Sequence, residues 1–252
     1  MKTEEILKKY SVFRENMGIA IDKKVCLKFW NIENVKNIRI EKIENSVLKE
    51  KLDIARNSIK YLLVFNWVKF IAVSGSVASG FAKDEDDIDV FIVLKNDRAW
   101  IYRAVILFRN IFHRKIRMGN GNVRNKLCVN FIAEERDLRM EEDIFNLNEI
   151  ISLIPVYNDE YFVNILRNNE WLFSKYLLSR KLLDKGYEKN SIKRYPVFYM
   201  LNIVCLIPQL VFMLIFNHKP DIARIKKNFK RGRIEFFPKD FKQEKLSVLE
   251  SR

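Results

Sequence analysis

Residues 71–94 read IAVSGSVASGFAKDEDDIDVFIVL, two apolar runs joined by a short polar connection, with Gly75-Ser76 closing the first run and Asp87-Ile88-Asp89 opening the second. Both runs are short and rich in valine, isoleucine and phenylalanine, the composition of buried strands. Side-chain direction repeats every two residues along a strand, so Asp87 and Asp89 share a face. Two crowded like charges raise each other's energy unless cations or protons compensate them. The pair therefore points to a divalent metal site, and Gly75-Ser76 stands where a phosphate can be held.

The charge pattern agrees with that reading. A net charge of +14, from 46 basic and 32 acidic residues, attracts polyanions such as nucleotides, nucleic acid or an anionic membrane. Residues 98–133 contain no acid, yet carry Arg98, Arg103, Arg109, Arg114, Lys115, Arg117, Arg124 and Lys126. The acids gather instead in Asp84, Glu85, Asp86, Asp87 and Asp89, a small acidic focus beside a basic surround. Asp86 falls on the opposite face from its neighbours if the strand has begun, which suits a strand-end cap. Three widely spaced cysteines, Cys26, Cys128 and Cys205, fit neither a disulfide framework nor a cysteine-rich zinc site, and a reducing cytoplasm is the simplest setting. The N-terminus lacks the apolar core of a secretory signal. His113 and His218 have no partner at metal-ligand or triad spacing, so both read as surface residues.

Helical spacing predicts helices over 3–21 and 46–66, with a strand-like or irregular stretch between them. Strands are expected over 68–76, 88–95 and 126–134, and an amphipathic helix over 99–117 with Ile101, Val105, Phe108 and Phe112 on its apolar stripe. A turn at 118–122 leads into the third strand. Helices follow at 144–154 and 160–178, broken at Pro155. Strands in the first half and helices in the second predict an α+β chain. It divides into an N-terminal appendage (1–50), a core (51–140) and a helical C-terminal region with a basic tail (141–252). Residues 197–216 are apolar at 17 of 20 positions, long enough to span a bilayer. The interior Asn202, Pro208 and Gln209 favour a buried or interface helix, because lipid tolerates them only where neighbours satisfy them. Trp67, Trp100 and Trp171 read as core anchors, with stacking on a base as a further possibility for Trp100.

A strand ending in Gly-Ser, a short helix and then Asp-x-Asp in an apolar strand resembles the nucleotidyltransferase fold of the DNA polymerase β superfamily. AVSGSVASGFA, DDIDVFIV, the Arg98-Ala99-Trp100 turn, KLCVNFI, NEIISLIPVY and NNEWLFSKY extend the resemblance to a group of prokaryotic nucleotidyltransferase-domain proteins. It covers roughly residues 52–178, and FFP at 236–238 matches a tail motif of the same group. The resemblance implies a nucleotidyltransferase-like core: a small mixed β-sheet flanked by helices. It also implies a Mg²⁺-dependent transfer of a nucleoside monophosphate from a nucleoside triphosphate, with pyrophosphate released. Gly75 and Ser76 would bind the triphosphate, and Asp87 and Asp89 would hold two Mg²⁺ ions. Active members carry a third carboxylate on a later strand, where this chain has Asn130. Asparagine offers a carbonyl oxygen but neither charge nor a proton-accepting site at neutral pH. Glu134 and Glu135 are the only acids close enough in sequence to replace it. A nucleotide- or RNA-binding module without turnover therefore stands beside the enzyme reading, with an acceptor of protein, RNA or small-molecule type. The basic tail is a candidate contact for nucleic acid or anionic membrane, and residues 197–216 for membrane association.

Overall fold

The computed structural model describes residues 2–43, 45–117, 122–184, 190–215, 221–235, 242–243 and 246. The FFP segment, His218 and most of the 118–122 turn lie outside them. Helix α1 (Thr3–Glu15) inserts Ile6, Leu7, Tyr10 and Phe13 into the main core. The stretch expected to be irregular instead contains α2 (Lys23–Trp30), capped by Asp22, whose carboxylate accepts from Lys24 N at 2.8 Å. Two residues on either side of it, β1 (Ile21–Asp22) and β2 (Ile40–Glu41), pair in parallel. Helix α3 (Ser46–Ser58) completes this N-terminal layer, with Asn45 as its cap.

The centre is a five-stranded sheet. Strand β3 (Val68–Val73) runs antiparallel to β4 (Ile88–Leu94), joined by α4 (Gly75–Ser79) and a loop. Helix α5 (Ala99–His113) makes the crossover to β5 (Leu127–Glu134), which lies parallel to β4 with Asp89 opposite Cys128. Both faces of these strands are covered, which is why they read as continuous apolar runs rather than alternating ones. Beyond α6 (Ile144–Ser152), Pro155 does not simply break a helix. It lies in β6 (Ile154–Tyr157), an edge strand where a missing N–H is tolerated. The expected 160–178 helix is divided into α7 (Phe162–Asn168) and α8 (Trp171–Ser174) at Asn169. The Asn169 amide donates to Leu138 O at 2.9 Å and Ile165 O at 2.8 Å, and accepts from Met140 N at 2.7 Å, so it replaces helix hydrogen bonds with links to another segment.

The C-terminal segment consists of α9 (Pro196–Ile215), α10 (Ile222–Arg231) and β7 (Arg233–Glu235). Strand β7 pairs with β5, giving the order β6-β3-β4-β5-β7. The sheet thus takes both edge strands from beyond residue 140. Part of the basic tail is structural: Arg231 and Arg233 both pair with Asp137, at 2.5 and 3.1 Å. One sheet face packs Phe70, Phe91 and Phe131 against α1, α2 and α6 to α8, and the other packs Ile71, Ile92 and Ile132 against α3, α5 and α9. On α5 the buried side is Trp100, Tyr102, Ile106 and Asn110, whereas Phe108 and Phe112 of the expected core stripe are exposed. Apolar residues lie on more than one side of the helix, so the stripe picked by spacing was not the one the sheet buries.

Among the described residues no helix is long and apolar enough to cross a membrane. The interior amides of α9 are satisfied by α5. Asn202 Oδ1 accepts from Trp100 N at 2.7 Å and Ile101 N at 3.2 Å, capping the first turn of α5. Gln209 donates to Trp100 O at 3.2 Å and accepts from Arg103 at 2.6 Å.

Candidate metal and nucleotide site

The site forms at the end of the sheet where β3 stops and β4 and β5 begin. Ser74 N donates to Asp89 O at 2.9 Å, holding the first residues after β3 against the start of β4. Gly75 follows with φ +63°, and a Cβ built on it would overlap the Asp89 carboxylate. The glycine is required because the Asp89 carboxylate lies directly on its backbone. One short helical turn later α4 ends at Gly80, φ +92°.

The acidic loop is held from both sides. Asp86 Oδ2 accepts from Lys83 N at 2.9 Å and from Ser76 Oγ at 3.3 Å, so Asp86 closes the loop and tethers the serine. Lys51 of α3, 1% exposed, donates from one ammonium to Asp84 O at 3.0 Å, Asp86 O at 2.7 Å and Asn125 Oδ1 at 3.1 Å. Lys51→Met would leave these acceptors without their cation. Its expected cost is about 2–4 kcal/mol of stability, read as a lowered denaturation midpoint with an unchanged slope.

Asp87, Asp89, Asn130 and Cys128 converge. One ligand atom from each of Asp87, Asp89 and Cys128 lies within 4.8 Å of the other two. Asn130 Nδ2 donates to Asp89 Oδ1, and Cys128 Sγ donates to Asn130 Oδ1 at 2.9 Å. On the outer side Arg117 Nη1 donates to Asp87 Oδ2 at 2.7 Å. Burial pushes the Asp89 carboxyl up to about 7, and the Asp87 charge adds to the rise. Burial, with the charges of Asp89 and Asp87, also raises the Cys128 thiol and keeps it protonated. Sequence reasoning missed Glu149 of α6. Burial and the charge of Asp89 push it up to about 7. Its signal was available: Glu149 is the single charged residue in IFNLNEIISLIPVY.

Glu134 and Glu135 do not come near. Glu134 pairs with Leu94, five residues along β4 from Asp89, roughly 17 Å away at strand rise. Its carboxylate caps α5 through Arg98 N at 2.9 Å and Ala99 N at 3.1 Å and pairs with Arg136 at 3.0 Å. Glu135 accepts from Ser191 N at 3.2 Å. Neither serves as the third carboxylate. Trp100 is buried in the core beside Asn202, at the opposite end of β4, and cannot stack on a base at this site. His113 is exposed and packs on Tyr61 at 4.8 Å.

The profile of the nucleotidyltransferase domain family matches residues 55–183, just over half of the chain, spanning β3 through α8 and therefore Gly75, Ser76, Asp87, Asp89, Cys128, Asn130 and Glu149. The chain belongs to the nucleotidyltransferase domain family. No curated protein and no solved structure matches it. A general nucleotidyltransferase role follows from this membership, and domains of this kind typically use divalent metals. The donors of this nucleotidyltransferase domain fit such an ion: two adjacent carboxylates, one pushed up to about 7 by burial and by the charge of the other, and an amide beside them.

The raised carboxyls give a pH dependence with a definite sign. Asp89 must lose its proton to bind a cation, so affinity for Mn²⁺ is expected to rise about tenfold from pH 6 to pH 8 and to level off above that, measurable by calorimetric titration. For the metal-free protein the sign reverses. Asp89 and Glu149 hold protons in the fold up to about 7, but lose them near 4 when unfolded, so stability falls as pH rises between those values.

Proposed function

We propose that the protein is a Mg²⁺-dependent nucleotidyltransferase that moves a nucleoside monophosphate from a nucleoside triphosphate to an acceptor hydroxyl. The observation that carries this reading is the convergence of Gly75, Ser76, Asp87 and Asp89 at one end of the sheet. Asp87 and Asp89 hold the ions, and the Gly75-Ser76 turn receives phosphate oxygens with its backbone N–H groups and the Ser76 hydroxyl. Bound Mg²⁺ supplies Lewis-acid stabilisation of the charge on the transferring phosphoryl group and the leaving pyrophosphate. The acceptor oxygen forms a bond to the α-phosphorus while the bond to the bridging oxygen of pyrophosphate breaks. Asn130 cannot take the acceptor's proton, so it orients Asp89. Glu149, whose carboxyl burial and the charge of Asp89 push up to about 7, is the candidate to accept that proton.

A second reading, a nucleotide-binding module without turnover, is favoured by Asn130 and by the Arg117–Asp87 pair, which places a cation of the chain itself on a metal carboxylate. Incubation with α-labelled nucleoside triphosphates, Mg²⁺ and a panel of proteins, RNAs and small molecules separates the two. The enzyme reading expects label in an acceptor and release of pyrophosphate. Nucleotide binding with no incorporation across the panel would favour the module.

A further inference from the structure

Helices α5 and α9 pack side by side over one face of the sheet, and their outer surfaces carry exposed apolar residues. Along α9, Val197, Val204 and Leu214 are 72%, 59% and 59% exposed, with further apolar residues between them at helical spacing. The C-terminal end of α5 extends the surface with Phe108, Ile111 and Phe112, at 63%, 63% and 72%. Single exposed apolar residues are ordinary, but exposed apolar residues repeated along a twenty-residue helix, with three more on the helix packed against it, mark an interaction surface.

The surrounding charge identifies what covers it. Neither helix contains an aspartate or glutamate. Arg114 and Lys115 are exposed just beyond Phe112, and Lys60 lies over Tyr61, which itself packs on His113. On the other flank α10 contacts α9 through Tyr199 and Phe229 and exposes Lys226 and Lys230. An apolar surface with a basic rim on a chain of net charge +14 is repelled by a second copy of itself and attracted by an anionic sheet of headgroups. We infer that the α5–α9 face docks the protein on the surface of an anionic phospholipid membrane, with the apolar residues entering the headgroup region and the lysines and arginines meeting lipid phosphates. The helices lie on the membrane rather than through it.

The test is co-sedimentation of the full chain with phosphatidylcholine vesicles and with vesicles that also contain phosphatidylserine, alongside light scattering of the protein alone. The expected result is binding to the anionic vesicles at least tenfold stronger than to the neutral ones, weakened by salt. Phe112→Asp with Leu214→Asp should remove it, and Arg114→Glu with Lys115→Glu should weaken it. All four positions are exposed, and matching thermal unfolding of the variants establishes that they fold. No binding to anionic vesicles, or equal binding to both kinds, would overturn the inference. So would a dimer in solution that Phe112→Asp with Leu214→Asp dissociates, since the face would then belong to a second copy.

Discussion

Replacing Asp87 and Asp89 together by asparagine is expected to lower nucleotidyl transfer by at least about 10³-fold while leaving the protein folded. The two carboxylates supply the only full negative charges among the four side chains that converge at the start of β4 and β5. Asparagine keeps their shape and can accept a hydrogen bond from Asn130 or Arg117, but it cannot hold a divalent cation against water. Stability should rise slightly or stay level, because the substitution removes the repulsion and desolvation that push Asp89 up to about 7. A loss of activity accompanied by an unchanged or higher melting temperature is the signature of a site whose charges serve chemistry rather than folding. A comparable loss of stability would argue that the aspartates are structural.

Gly75→Ala is expected to damage both fold and site. Its φ of +63° costs an L-residue about 1 kcal/mol, and the new methyl must displace the Asp89 carboxylate, whose Cγ and Cβ lie 2.9 and 3.0 Å from where it would stand. The combined cost of about 2–3 kcal/mol corresponds to a melting temperature lower by roughly 5–10 °C. Gly18 supplies the control. Its φ is +76° and a Cβ there meets nothing within 4 Å, so Gly18→Ala carries the backbone strain alone. The difference between the two variants measures the contact with Asp89. In the Gly75 variant metal affinity should fall as well, because the carboxylate can no longer rest on the backbone.

The parts of the site that follow from local periodicity were legible in the sequence. Period two placed Asp87 and Asp89 together, and resemblance pointed to Asn130, which does face them; Asp86 was expected to turn away, but it precedes β4 and its carboxylate accepts from Ser76 Oγ instead. What depends on tertiary approach was not legible. That Gly75 is needed for Asp89 rather than only for a phosphate, that Arg117 covers Asp87, and that Lys51 binds the acidic loop all require elements distant in sequence to meet. Glu149 carried a signal that was not used, a lone charge in an apolar helix, and the fold brings it within reach of the charge of Asp89. In the fold, β6 and β7 are four and three residues long, too short for alternation to register, and Pro155 was read only as a break between helices. Helix α2 has only eight residues, below the length at which helical spacing separates from irregular structure.

The Arg117–Asp87 ion pair bears on how the site is used. A cation entering beside Asp87 competes with the guanidinium, and a displaced Arg117 is available to phosphate oxygens. Metal and triphosphate binding should therefore support each other. Mn²⁺ titrations followed by electron paramagnetic resonance, with and without a non-hydrolysable nucleoside triphosphate, test the central claim most directly. The account predicts one weakly held ion in the protein alone, a second ion and tighter binding when the nucleotide is added, and loss of both in the Asp87→Asn, Asp89→Asn variant. Equal Mn²⁺ and nucleotide binding by that variant and the parent would contradict it.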